Sequence, residues 1–114
     1  MSESIKKELA ISIDFGSSFS SAAVFINEKI EIIPNEEGDL LTHTYVAFNE
    51  TDILIGDAAY KQAYRNPLNT IYNFKNMMGK KFSDPLIQME IKHLPYKVEA
   101  GPNDSPLIVV TYKN

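Results

Sequence analysis

In the ten residues Ser12–Ser21, SIDFGSSFSS, one carboxylate, one glycine and five serine hydroxyls fall together. These are the parts of a backbone anion cradle. Gly16 lets main chain approach a ligand closely, successive N–H groups in a tight turn form an anion nest, and the Ser17 and Ser18 hydroxyls add donors. Asp14, at the end of an apolar alternation, stands where a carboxylate could hold the Mg²⁺ that accompanies phosphates, directly or through water. The same residues also make an ordinary hairpin turn, and the stretch by itself leaves both readings open. It is not a Walker A loop, since no Gly-Lys-Ser/Thr follows, and it is not a GxGxxG dinucleotide fingerprint.

Lys75 is the second group of interest. On a helix expected over Thr70–Met78 it shares the apolar stripe of Ile71, Phe74 and Met78. Its stem then covers apolar surface with the ammonium in water, or its cation reaches an anionic ligand held by a neighbouring element. The two histidines, His43 and His93, lie fifty residues apart with no flanking ligand spacing and read as structural. Met77, Met78 and the six tyrosines read as core and contact filling.

Short elements must position these groups. Apolar residues at 9, 11, 13 and 15 around Ser12 and Asp14 have the period of a half-buried strand over Leu9–Phe15. That period puts Asp14 on the face opposite Ile11 and Ile13. Gly16-Ser17-Ser18 breaks the run, Ser21–Ile26 resumes it, and Ile30–Ile33 follows another turn, which predicts an antiparallel meander. Pro34–Thr44 reads as a surface loop into a strand at Tyr45–Phe48, with a further strand at Ile53–Gly56. Asp57 is expected to cap a helix that Asn66-Pro67 ends, and Asn69 or Thr70 to cap the second helix, with Gly79 as its left-handed terminator. DPLIQMEIKH fits a helical turn or a strand. YKVEA and LIVVTYK around GPNDSP predict a hairpin.

A chain of 114 residues is one domain's worth, large enough for a core and too small for a two-lobed enzyme. Its net charge of −4 argues against a broad nucleic-acid surface, although a local N–H cradle binds an anion whatever the net charge. The lack of cysteine excludes a disulfide scaffold and a thiol nucleophile. Charged residues in MSESIKKELAISID and the absence of a long apolar run point to a soluble, cytoplasmic protein without membrane partners.

Five collinear blocks carry a family resemblance: IDFGSSFSSAAVF, IEIIPNEEGDLLTHTYVAF, LIGDAA, NPLNTIYNFKNMMGKKF and IKHLPYKV. In order and in near-family spacing, they resemble the start of the ATPase domain of the 70-kDa heat-shock protein chaperones. The resemblance implies an α/β fold, the actin-like, ribonuclease-H-like ATPase fold, with ATP or ADP and Mg²⁺ in a cleft between two lobes. It divides the chain into an N-terminal tail (1–8), the first strands of one lobe with a phosphate hairpin (9–42), and the small upper subdomain of that lobe (43–114). Gly16, Ser17, Ser18 and Phe19 would lie along the phosphates, Asp14 would act on the metal through water, and Lys75 would be the catalytic lysine. Against the family pattern, Phe19 replaces a tyrosine, Ser17 and Ser18 replace threonines, Ser12 stands for a glycine and His43 for a proline.

The resemblance covers only the opening of such an ATPase. The second phosphate hairpin, the adenosine-binding segment, two further cleft acids, the opposing lobe and the peptide-binding domain have no counterpart in these residues. The expectation is an N-terminal fragment of an ATP-dependent chaperone that is not ATPase-competent alone. A longer parent would meet unfolded peptides, J-domain co-chaperones and nucleotide-exchange factors. The alternative is a short non-catalytic paralogue acting as a binding module for chaperone partners. A sugar kinase of the same superfold would share the phosphate hairpin but leaves NPLNTIYNFKNMMGKKF unexplained.

Overall fold

The computed structural model describes residues 8–113. All of the expected tail except its last residue lies outside that range. Strands β1 (Ala10–Phe15), β2 (Phe19–Ile26) and β3 (Lys29–Ile33) form the antiparallel meander that the alternation predicts. The β2–β3 turn places Asn27 and Glu28 at φ of 51° and 61°. Two positive φ values give a type I′ turn, whose twist matches that of the flanking strands. A fourth strand, β4 (Thr42–His43), pairs with Phe19 and Ser20 at the start of β2. It lies inside the segment read from sequence as a loop, and two residues are too few to show a period.

Downstream, β5 (Val46–Phe48) is flanked by β6 (Ile53–Ile55) and β7 (Thr70–Ile71) in a three-stranded sheet. Helix α1 (Asp57–Lys61) follows β6, and its N-cap is Gly56 at φ 71°, not Asp57. A Cβ on Gly56 would also meet the Thr42 Cγ2 at 2.7 Å. Beyond α1 the chain tightens into a 3₁₀ turn, Ala63–Arg65, and stops before Pro67 as that proline dictates.

The helix expected over 70–78 is not formed. Thr70 and Ile71 pair with Ala47 and Val46, Asn73 turns left-handed at φ 55°, and only Phe74–Met77 winds, as a 3₁₀ turn. The β-branched pair fits the pleated sheet better than a helix, and its burial decides the outcome. Thr70 is buried with its hydroxyl donating to the Asn66 carbonyl at 2.7 Å and accepting from Gln62 Nε2 at 2.9 Å. The stripe assigned to Lys75 therefore dissolves: Met77 is buried and Met78 exposed. The undecided DPLIQMEIKH segment is helical, α2 (Pro85–Ile91), with Asp84 accepting from the Leu86 N–H at 2.9 Å and Pro85 in the first turn. Strands β8 (Lys97–Ala100) and β9 (Pro106–Val109) form the predicted hairpin.

The core lies in the second half of the chain. Ile71, Met77, Ile87, Tyr96 and Val98 form one buried cluster, edged by Phe48, Tyr72, Phe74 and Ile108. No residue of β1 or β3 is buried, and Ile13 is 72% exposed, so β1 is not the half-buried strand its alternation predicts. Of its side chains, Phe15 at the end of the strand meets Phe74 and Lys75. The radius of gyration, 18.4 Å, exceeds the roughly 13 Å of a compact chain of this length.

Tyr96 ties the core to the strand ahead of the 3₁₀ turn by donating its hydroxyl to the Tyr72 carbonyl at 2.5 Å. Burial first, then the neighbouring Tyr72 and Glu90, push its phenol well above the ordinary tyrosine value. A folded-state value raised in this way keeps its stabilisation below the unfolded value near 10 and loses it as pH climbs above that. Urea unfolding followed across the alkaline range should show stability falling from about pH 10 upward. Tyr96→Phe should remove about one proton's worth of that slope, roughly 1.4 kcal/mol per pH unit. The same substitution should cost about 1 kcal/mol at neutral pH, because the Tyr72 carbonyl loses its donor.

Candidate functional site

The three residues Gly16, Ser17 and Ser18 join β1 to β2, so the acid, glycine and hydroxyls singled out from sequence sit on one hairpin tip. A side chain at position 16 is excluded by contact: a Cβ there would stand 2.2 Å from the Phe19 carbonyl oxygen. Glycine is thus required by the way the hairpin closes. Among the described residues, the N–H groups of Ser17 and Ser18 have no acceptor within the protein.

The loop carbonyls, by contrast, are taken from behind. Thr44 donates its hydroxyl to the Gly16 carbonyl at 2.8 Å and its N–H to the Ser18 carbonyl at 2.9 Å, and its Oγ1 lies 2.8 Å from the Ser20 Oγ. Thr44 is buried although it is polar, and these bonds are what permit it. Sequence reading passed over both Thr44 and Ser20. Each is a hydroxyl residue in a polar run, and only the β2–β4 pairing reveals them.

Lys75 comes to the same hairpin from 60 residues away, its Nζ hydrogen-bonded to the Phe15 carbonyl. The ammonium also lies 5.6 Å from the centre of the Phe15 ring, and Phe15 meets Phe74 edge-on at 6.0 Å. The 3₁₀ turn at Phe74–Met77 therefore places ring and cation together against the end of β1. Asp14, which pairs with Ser21 across the β1–β2 ladder, is exposed. No group of three or more His, Asp or Glu side chains suited to a metal ion occurs among the described residues. One carboxylate fits Mg²⁺ in its usual setting beside phosphate, where the ion keeps several waters and few protein ligands.

His43 connects the hairpin to the helical side. It pairs with Phe19 in the ladder, their ring centres 4.7 Å apart, and stacks on Tyr60 at 3.9 Å. Its Nδ1 is 3.5 Å from the Asp57 carboxylate. Asp57 also pairs with Lys61 at 2.8 Å, and Lys61 reaches Glu37 at 3.7 Å. The hydrogen bond from Lys61 holds the Asp57 carboxyl below the ordinary range, and Asp57 in return raises the Lys61 ammonium.

A glycine-closed hairpin whose tip N–H groups find no acceptor among the described residues, with a lysine laid against its base, is an arrangement that a family comparison can place. Residues 10–114 match the family described as Hsp70 protein. The chain belongs to the Hsp70 family. It is 47% identical over 105 residues to heat shock cognate 70 kDa protein 3 of Dictyostelium discoideum, covering 91% of this chain and 17% of that protein. It is 44% identical over 106 residues to heat shock 70 kDa protein 2 of Paracoccidioides lutzii, covering 91% of this chain and 16% of that protein. Putative heat shock 70 kDa protein 7 of Homo sapiens is 40% identical over 107 residues, covering 94% of this chain and 29% of its own length. The chain therefore spans less than a third of any of these three Hsp70 relatives. Membership assigns the actin-like ATPase fold, and the antiparallel sheets with short helices agree with a portion of it.

Gly16→Ala tests the hairpin directly. The new methyl must displace the Phe19 carbonyl, and overpacking of this kind costs about 1–3 kcal/mol. The variant should show a lower urea midpoint and shifted amide resonances at residues 15–20 and 44.

Proposed function

We propose that this Hsp70 chain supplies one side of a nucleotide cleft in an ATP-dependent chaperone. Gly16, Ser17, Ser18 and Phe19 bind the phosphates of ATP or ADP through main-chain N–H groups, with the Ser17 and Ser18 hydroxyls as additional donors. Asp14 would hold, through water, the Mg²⁺ that accompanies the nucleotide. Lys75 is the catalytic residue, presenting its ammonium to the γ-phosphate and the attacking water. When bound, Mg²⁺ neutralises charge on the phosphate oxygens.

The observation that supports this reading is the bond from Lys75 Nζ to the Phe15 carbonyl. It brings the cation to the end of β1 beside the tip whose Ser17 and Ser18 N–H groups have no partner within the described residues. An ammonium carries three protons, so one bond to Phe15 orients it and leaves two for an anion. Donors fixed before the ligand arrives stabilise developing charge with little reorganisation. In a longer cytoplasmic chaperone, turnover at this cleft would be linked to unfolded peptides, J-domain co-chaperones and nucleotide-exchange factors.

One side of a clamp supplies little of the positioning on which phosphoryl transfer depends. Calorimetric titration of the 114-residue chain with MgATP should give a Kd weaker than about 1 mM, equivalent to less than about 4 kcal/mol. No steady hydrolysis should be seen, and tight binding that depends on Lys75, or sustained phosphate release, would sink the idea that this chain is incompetent alone.

The role of Lys75 is tested in a complete ATPase that carries these residues. There Lys75→Ala should lower single-turnover hydrolysis at least about 100-fold while leaving nucleotide affinity largely intact. Unchanged turnover removes Lys75 from the mechanism.

A further inference from the structure

We propose that Thr44 is a positioning residue for phosphate binding, a buried hook that turns the hairpin's N–H groups outward; the inference rests on the phosphate reading given above. The Thr44 hydroxyl has one proton and donates it to the Gly16 carbonyl. The 2.8 Å contact with Ser20 therefore runs with Ser20 Oγ as the donor, giving a relay from Ser20 through Thr44 to Gly16. The Thr44 N–H holds the Ser18 carbonyl as well, at 2.9 Å.

Peptide planarity converts these bonds into aim. In a trans peptide the N–H points opposite to the C=O of the preceding residue. With the Gly16 carbonyl drawn toward Thr44, the Ser17 N–H must face away from it. With the Ser18 carbonyl drawn the same way, the Phe19 N–H must also face away. One side chain and one backbone amide thus set the direction of two donors that lie on neither.

Thr44 can act as a fixed point because its neighbours are packed on both sides. His43 is stacked on Tyr60 at 3.9 Å, and Tyr45 is stacked on Tyr72 at 5.0 Å with the rings nearly parallel. Tyr72 in turn accepts the Tyr96 hydroxyl through its carbonyl. The loop is therefore referenced to the buried core and not to the exposed meander, and it is set before a ligand arrives.

The test uses the full chain, labelled with ¹⁵N and titrated with MgATP while amide shifts are followed by NMR. In the unsubstituted chain the Ser17, Ser18 and Phe19 amides should move progressively as MgATP is raised through and above about 1 mM, the range in which this chain binds it. Thr44→Val keeps the branched shape and loses the hydroxyl, and it should weaken that binding by about three- to tenfold. Thr44→Ser, which keeps the hydroxyl, should restore affinity to within about twofold of the original even where its thermal midpoint stays low. That rescue separates aim from stability. Equal affinity in a folded Thr44→Val chain overturns the role of Thr44 and leaves the phosphate reading standing. If the unsubstituted hairpin amides do not respond to MgATP at all, the phosphate reading falls and the Thr44 role falls with it. Should Thr44→Val fail to fold, Ser20→Ala breaks the relay at its outer end and should weaken binding by about twofold, with unchanged affinity counting against the proposal. Hydrogen exchange in the unsubstituted chain gives an independent check: the Thr44 amide should be protected, and exchange at the rate of an unstructured peptide excludes the hook.

Discussion

Two carbonyl groups of a three-residue loop accept hydrogen bonds from a single threonine 28 and 26 positions further along the chain, and the geometry of the candidate site follows from that attachment. The loop itself has little to hold it. Gly16 is closed against the Phe19 carbonyl, the Ser17 and Ser18 N–H groups find no acceptor among the described residues, and of the flanking strands β1 is exposed and β2 only half-buried. Its orientation comes from Thr44, and Thr44 is held by the aromatic side chains that flank it. Lys75 adds a second attachment at the end of β1. Both attachments come from residues that follow the meander in the chain, so the meander carries the donors while later residues set their direction.

The route from tip to core can be followed ring by ring. Phe19 meets His43, His43 stacks on Tyr60, Tyr45 stacks on Tyr72, and Tyr72 meets Tyr96 edge-on at 6.0 Å. Aromatic pairs of this sort contribute about 0.5–1.5 kcal/mol each beyond the area they bury. The chain of contacts has a geometric role as well, because flat rings in van der Waals contact resist the sliding that aliphatic side chains allow. His43, where the family pattern has proline, keeps a backbone N–H in β4 and adds a flat ring to this series.

The legible parts of the fold were those in which local chemistry and final structure agree. The meander could be read because its apolar residues alternate and its turns carry Gly16 and Asn27. The hairpin of β8 and β9 could be read from the turn residues between its strands. The segment 70–78 could not, because its outcome is decided 23 to 25 residues earlier, where Val46 and Ala47 offer Ile71 and Thr70 a ladder. A helix drawn there placed Lys75 on a stripe that does not exist. The catalytic role given to Lys75 rested on family resemblance, and its arrival at the Phe15 carbonyl has nothing to do with helical periodicity. Thr44 and Ser20 were invisible for a related reason: a hydroxyl residue in a polar stretch has no pattern, and its significance appears only when a two-residue strand brings it behind a loop.

The exposure of β1 and β3 has a further meaning for cooperativity. The sheet they form contributes no side chain to the buried cluster that runs from Ile71 to Val98, so most of what resists its opening is its own ladder of main-chain bonds. Such a sheet is a separate unit of local unfolding, able to part from the core without dissolving it. The Gly16 hairpin belongs to that weaker unit, and its links to the stronger one run through Thr44, His43, Phe15 and Lys75. A ligand gripping the tip would then act as a staple on a loosely attached sheet, drawing binding energy and folding energy from the same contacts.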